Sequence, residues 1–155
     1  MPSAGLRVKF SPNLYVFKVT VAGYSKRSLV QKLGIKPGDK ICIINPPDRY
    51  DQTLGQLPPA AAAVELSAGE LNFVQFFTAS RAELAAEFDR LKQAITPNGM
   101  VWISWPKKAS KMPTDLTEDV VRDIGLRRGL VDVKVCAVDD IWSGLKFVYR
   151  LEDRL

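Results

Sequence analysis

The sequence predicts a three-layer α/β domain on a mostly parallel sheet that ends in an antiparallel strand pair. Three observations carry that expectation. Apolar strand-like runs alternate with helical segments from residue 40 to residue 128, the pattern of parallel strands joined by helical crossovers. Ile41-Cys42-Ile43-Ile44 has no polar alternation, as fits a strand covered on both faces. The last two strand candidates, 131–138 and 145–151, are joined too tightly for a crossover and so pair antiparallel.

The elements follow in order. Leu6, Val8 and Phe10 alternate with Arg7 and Lys9, Ser11-Pro12-Asn13 reads as a turn, and Leu14 to Val21 is β-branched and aromatic. Residues 1–21 are therefore read as a leader, a candidate β-hairpin, and 22–155 as one domain. Ser25 is expected to cap a short helix carrying Leu29, Val30 and Leu33, which Gly34 stops. The first strand, 40–45, ends at Pro46-Pro47, and residues 48–59 read as polar loop. Ala60 to Leu66 is a weak strand, since alanine suits strands poorly. Leu71 to Phe77 is a better one. Ser80-Arg81-Ala82-Glu83 has the form of a capping box before a helix to Ile95. Thr96-Pro97-Asn98-Gly99 closes that helix, and Met100 to Trp105 is the next strand. Asp115-Leu116-Thr117-Glu118 opens a helix to 128, and residues 139–144 separate the final two strands.

Composition narrows the function classes. At 155 residues one domain with a full core is expected. With no histidine, Ser-His-Asp, Cys-His and His-metal sites are all excluded. No stretch approaches the ~20 apolar residues of a membrane span. Arg7, Lys9 and Lys18 interrupt the one signal-peptide candidate, and Cys42 and Cys136 sit in apolar runs as reduced thiols, so a cytoplasmic setting is expected. The net charge of +5 is concentrated in residues 1–60, notably at Lys26, Arg27, Lys32, Lys36 and Lys40. Such a field favours anionic partners, nucleic acid among them, although no nucleic-acid motif accompanies it.

The strand and helix order resembles the class I methyltransferase fold. Leu91-Lys92-Gln93-Ala94-Ile95-Thr96-Pro97-Asn98-Gly99-Met100-Val101-Trp102-Ile103-Ser104 is similar to the helix, L-x-P-G-G, strand passage late in those enzymes. Gly23-Tyr24-Ser25 through Leu33-Gly34-Ile35-Lys36-Pro37-Gly38, with Ile103-Ser104-Trp105-Pro106-Lys107-Lys108, resembles a family of short bacterial proteins of unknown function. The likeness covers residues 22–151 and implies a shortened, Rossmann-like sheet lacking one strand and helix of the usual set.

The candidate sites lie at the carboxyl ends of the strands, where ligands of open α/β sheets bind. Asn45 and Glu65 are the cofactor candidates, because an acid about twenty residues after the first turn commonly holds ribose hydroxyls. The turn itself, Asn45-Pro46-Pro47-Asp48, has no glycine, and its prolines remove two N–H donors. The expectation is accordingly no cofactor, the S-adenosylmethionine (SAM) site being lost. The turn also resembles the N/D-P-P-aromatic motif of amino-group methyltransferases, but its fourth residue is Asp48 and its nearest aromatic is Tyr50, so it reads as a strand terminator. Trp105, Lys107, Lys108, Ser110 and Lys111 form a candidate anion-binding rim, with Thr78 ending beside it. Asp139 and Asp140 read as turn residues. No catalytic or metal-ligating residue is assigned. Trp102, Trp142 and open sheet edges would permit a homodimer. The expected function is a non-catalytic domain binding an anionic ligand or protein partner at this rim. The alternatives are a SAM-dependent methyltransferase with a glycine-free cofactor loop and a nucleic-acid-associated accessory protein.

Overall fold

A computed structural model describes residues 27–154. The leader, 1–21, and Ser25 lie outside the described residues. The chain runs α1 (Leu29–Leu33), β1 (Lys40–Ile44), α2 (Tyr50–Leu54), β2 (Ala62–Ala63), β3 (Leu71–Phe77), α3 (Arg81–Ala94), β4 (Ile95–Pro106), α4 (Glu118–Arg127), β5 (Leu130–Ala137) and β6 (Trp142–Tyr149). The strands make one six-stranded sheet in the order β2-β1-β3-β4-β6-β5. β2, β1, β3 and β4 are parallel, and β6 is antiparallel to both β4 and β5.

Both faces of the sheet are covered, which is why its central strands lack polar alternation. On one face Cys42, Ile44, Val74, Phe76, Val101 and Ile103 meet Leu84, Phe88 and Leu91 of α3 and Val121 and Ile124 of α4. On the other, Ile41, Ile43, Phe73, Phe77 and Trp102 meet Val30 and Leu33 of α1 and Tyr50 and Leu54 of α2. The Trp102 indole N–H donates to the Leu33 carbonyl at 2.9 Å, fastening α1 to the sheet centre. Trp102 is thus fully buried, and the expectation that it offers a dimer surface is corrected. Cys42 and Cys136 are free and buried. No helix among the described residues is long and apolar enough to cross a membrane.

Several boundaries differ from the sequence expectation, each for a local reason. α1 is capped by Ser28, whose hydroxyl accepts from Gln31 N–H while the Gln31 side chain accepts from Ser28 N–H. α2 occupies part of the stretch expected as loop; only Tyr50 and Leu54 point inward, one turn apart, too short a repeat to register as a period. β2 keeps two of the seven expected residues, with Pro58 and Pro59 before it and a 3-10 turn, Leu66–Ala68, after it. β4 starts directly after α3: Ile95 pairs with Leu71, and the next pair is Met100 with Phe73, so Thr96 to Gly99 bulge out. α4 is capped by Thr117, because the Asp115 carboxylate is taken by Arg81 N–H. The last hairpin is tighter than expected, with Ser143 and Gly144 inside β6. Gly144 lies under Trp102, where a Cβ would meet the ring at 3.1 Å.

Candidate functional site

The first strand ends in a backbone turn that only a few residue types accept. Asn45 has φ 57° and Arg49 φ 61°, both left-handed, and asparagine tolerates that region better than most residues. Between them Pro46 and Pro47 bring no N–H, and the Pro47 carbonyl accepts from Tyr50 N–H at 3.2 Å to start α2. Asn45 is half-buried and Asp48 exposed.

Beneath this turn lies a polar relay inside the core. The Tyr50 hydroxyl donates to Gln75 Oε1 at 2.7 Å, and Gln75 Nε2 donates to Ser104 Oγ at 3.1 Å. All three residues are buried, and the relay ties α2, β3 and β4 together below the carboxyl rim. Burial pushes the Tyr50 hydroxyl well above its ordinary range, against the lowering effect of its bond to Gln75; Asp139 and Cys136 add to the rise. The phenol therefore stays neutral. Its ring meets Phe77 edge-on at 4.8 Å, and Phe77 meets Trp142 edge-on at 5.3 Å. Sequence reasoning treated Tyr50 only as the aromatic nearest the two prolines and did not single out Gln75 or Ser104. The available signal was a polar residue inside each of two otherwise apolar strands, Leu71–Phe77 and Met100–Trp105.

At the end of β3, Thr78 N–H donates to the Ser104 carbonyl at 3.0 Å, and the Thr78 hydroxyl donates to the Glu83 carboxylate. Ser80 Oγ accepts from Glu83 N–H at 3.1 Å, while Ser80 N–H donates to Thr78 Oγ1 at 3.1 Å. The expected capping box is thus half formed, because Glu83 reaches back to Thr78 instead of to Ser80 N–H. Residues 114 and 115 strap this end of the sheet. Thr114 donates to the Ala79 carbonyl and Asp115 accepts from Arg81 N–H, both at 2.7 Å.

The five rim residues expected after β4 fall into different settings. Trp105 is buried with Leu116 on the α3–α4 side and has little surface to offer a ligand. Ser110 shapes the loop: its hydroxyl donates to the Lys107 carbonyl at 2.7 Å and accepts from Met112 N–H at 3.2 Å. Lys107 is half-buried, and its N–H donates to the Ile141 carbonyl at 2.7 Å, joining the loop to the β5–β6 turn. Lys108 and Lys111 are exposed. Asp139 accepts from Ile141 N–H at 2.8 Å and Trp142 N–H at 2.7 Å, a turn-forming role. Among the described residues no group of three or more Cys, Asp or Glu is placed to hold a metal ion.

Glu65 follows β2 with only Val64 between. Val64 N–H donates to the Ile41 carbonyl at 2.8 Å, so the chain runs beside β1 up to the acid. Glu65 is exposed, yet its charge reaches Cys42 on β1; burial first and Glu65 second push that thiol up to about 12. Asn45 and Glu65 therefore stand at the carboxyl ends of neighbouring parallel strands, with Thr78 at the end of β3 on the other side of β1. The sheet joins four parallel strands to a closing antiparallel pair, as the sequence likeness implied.

The sheet order β2-β1-β3-β4-β6-β5, parallel but for β6, is that of a doubly wound α/β fold. No protein-family profile and no curated protein sequence matches the chain. Among solved structures, a TehB-like SAM-dependent methyltransferase from Corynebacterium glutamicum is 12% identical, with 79% of this chain and 85% of that one covered and a TM-score of 0.47. The magnesium protoporphyrin IX methyltransferase of Synechocystis PCC 6803 with bound SAH is 14% identical, over 62% of this chain and 53% of that one, with a TM-score of 0.43. Its SAM-bound form gives 13% identity, 63% and 47% coverage and a TM-score of 0.44. The chain thus spans about half the length of the Synechocystis enzyme it matches. These likenesses concern the fold alone. The sequence expectation of no cofactor is corrected beside them, since two of these methyltransferase-fold structures hold SAH or SAM. Its premise, that two prolines and the lack of glycine abolish the site, overlooked that Asn45 adopts the left-handed backbone usually left to glycine.

Proposed function

We propose that this chain is a methyltransferase-fold domain that binds a SAM-type ligand in the crevice at the carboxyl ends of β1 and β3, with Glu65 meeting the ribose hydroxyls from the end of β2. The observation that carries the reading is the reversal of strand order at β1: the chain steps outward from β1 to β2, then back past β1 to β3. A reversal of this kind opens a crevice at the carboxyl ends of the strands, and ligands of open α/β sheets occupy it. The prolines of the turn withdraw N–H donors that a pyrophosphate would need most. SAM has no pyrophosphate, so the loss bears on it less.

No methyl-transfer step is part of the reading. The hydroxyl and amide groups below the crevice are engaged within the protein, Tyr50 with Gln75, Gln75 with Ser104, and Thr78 with Glu83. A second reading, an anionic ligand or protein partner on the 107–111 loop, is favoured by the exposure of Lys108 and Lys111, neither of which forms an ion pair among the described residues.

Calorimetric titration with SAM and with SAH tests the first reading. Saturable heat that Glu65→Ala weakens about tenfold is the expected result, as for a lost hydrogen bond to a charged group. No heat at high protein concentration would overturn it.

A further inference from the structure

The sheet carries a like-charge pair that no carboxylate among the described residues meets in an ion pair. Lys134 of β5 and Lys146 of β6 sit directly opposite each other, an arrangement that destabilises a sheet. Lys146 is half-buried on the α1 face. Its amine is flanked by Gly34, where a Cβ would stand 4.0 Å from Nζ and 3.5 Å from the Met100 methyl. Lys134 is held in place by donating to the Lys32 carbonyl at 2.9 Å, at the end of α1. Lys36 follows two residues after Gly34. Asp39, in this turn, accepts from the Lys36 backbone N–H at 2.9 Å. Burial, then Lys134, then Lys36 all lower the affinity of Lys146 for its proton.

The distribution of the other charges makes the cluster stand out. Every ion pair among the described residues joins Arg90, Arg122 or Arg127 to carboxylates of α3, α4 and β5. On the α1 face Lys32, Lys36, Lys134 and Lys146 form none. A local rule broken without compensation inside the fold marks a functional position more often than a structural one.

We propose that Lys36, Lys134 and Lys146 form a binding site for a phosphate group on the α1 face, apart from the carboxyl-end crevice. Three ammonium groups exceed the single charge of a carboxylate and suit the dianion of a phosphomonoester or free phosphate. Lysine binds phosphate as a point charge without demanding planar geometry. The site is independent of SAM, which has no phosphate.

The test is calorimetry with inorganic phosphate and fluorescence anisotropy with a labelled oligothymidylate, on wild type, Lys146→Gln and Lys36→Gln, with urea unfolding of each. The expected result is saturable phosphate binding that each variant weakens about tenfold, the loss of one charge-assisted hydrogen bond. Lys146→Gln should keep or raise the unfolding midpoint, because it removes the cross-strand repulsion. Should Lys146→Gln lower both affinity and stability, Lys36→Gln in its exposed turn decides: weakened phosphate binding supports the site and unchanged binding overturns it. Absence of phosphate binding by wild type overturns the proposal. So does oligothymidylate binding without phosphate binding, which would transfer the lysines to a nucleic-acid track.

Discussion

Replacing Gly125 by alanine sets two opposed effects against each other at one buried position of α4. A Cβ there would lie 2.1 Å from Phe147 Cε1 and 2.5 Å from Cζ. Carbon atoms rest at about 3.5 Å or more, so the ring would have to retreat by about 1.4 Å. It has little room to do so, because Phe88 stands edge-on to it at 5.5 Å and both rings are fully buried. Alanine improves a helix interior by about 1 kcal/mol over glycine, whereas overpacking costs about 1–3 kcal/mol. The clash is with the body of a packed ring and not with a flexible tip, which places the cost at the upper end. Gly125→Ala is therefore expected to lose about 1–2 kcal/mol, read in urea as a lower midpoint at unchanged m-value. In a Phe147→Leu background the ring is gone, and adding the same methyl should be neutral or stabilising, a coupling that a double-mutant cycle measures. Stabilisation of the wild type by Gly125→Ala, or an equal cost in both backgrounds, would refute the reasoning.

Three further outcomes follow from contacts described above. Burial, with Glu65 adding, raises the Cys42 thiol from 9.0 to about 12, so the folded protein holds this proton where the unfolded chain releases it. That contribution is complete below pH 9 and is lost as pH rises from about 9 to 12, at up to about 1.4 kcal/mol per pH unit. The alkaline slope of unfolding free energy should be shallower in Cys42→Ala; equal slopes would count against a buried thiol. Trp102→Phe removes a buried donor from the Leu33 carbonyl and is expected to cost about 1–3 kcal/mol, with faster amide exchange in α1. Unchanged α1 exchange would show that this bond does not fasten the helix. Ser28→Ala breaks the capping box of α1 and should cost about 1 kcal/mol by the same urea assay, against no measurable change if the cap is idle.

The sheet was legible because burial on both faces writes itself as unbroken apolar runs, and 40–44 and 71–77 follow them almost residue for residue. The parallel-to-antiparallel change was legible from the shortness of the final connection. What the sequence hid had short or remote causes. α2 rests on two inward residues, and β2 on two alanines that borrow their conformation from β1. The early start of β4 depends on the pairing of Ile95 with Leu71, and no local pattern announces such a contact. The candidate site was half visible: Asn45 and Glu65 stand at the strand ends where the spacing put them. The bonds of the Tyr50–Gln75–Ser104 relay join residues 25 and 29 positions apart, and the relay appears only when α2, β3 and β4 are packed together. Trp105 looked like a rim residue because tryptophan beside lysines reads as a ligand platform, and only the position of Leu116 shows its ring turned inward.

The two edges of the sheet are unequal among the described residues. β2 offers two residues, whereas β5 offers eight and leaves Val133 and Val135 half exposed, at 53% and 47%. Fibre growth by strand addition needs a receptive edge at both ends of every unit, so that each newcomer recruits the next. Here an added strand at β5 meets eight residues, interrupted by the irregularity between Asp132 and Lys134, and one at β2 finds only two. A second copy pairing through β5 would consume the long edge of both molecules and leave only short ones outward. Association by this route would end at two.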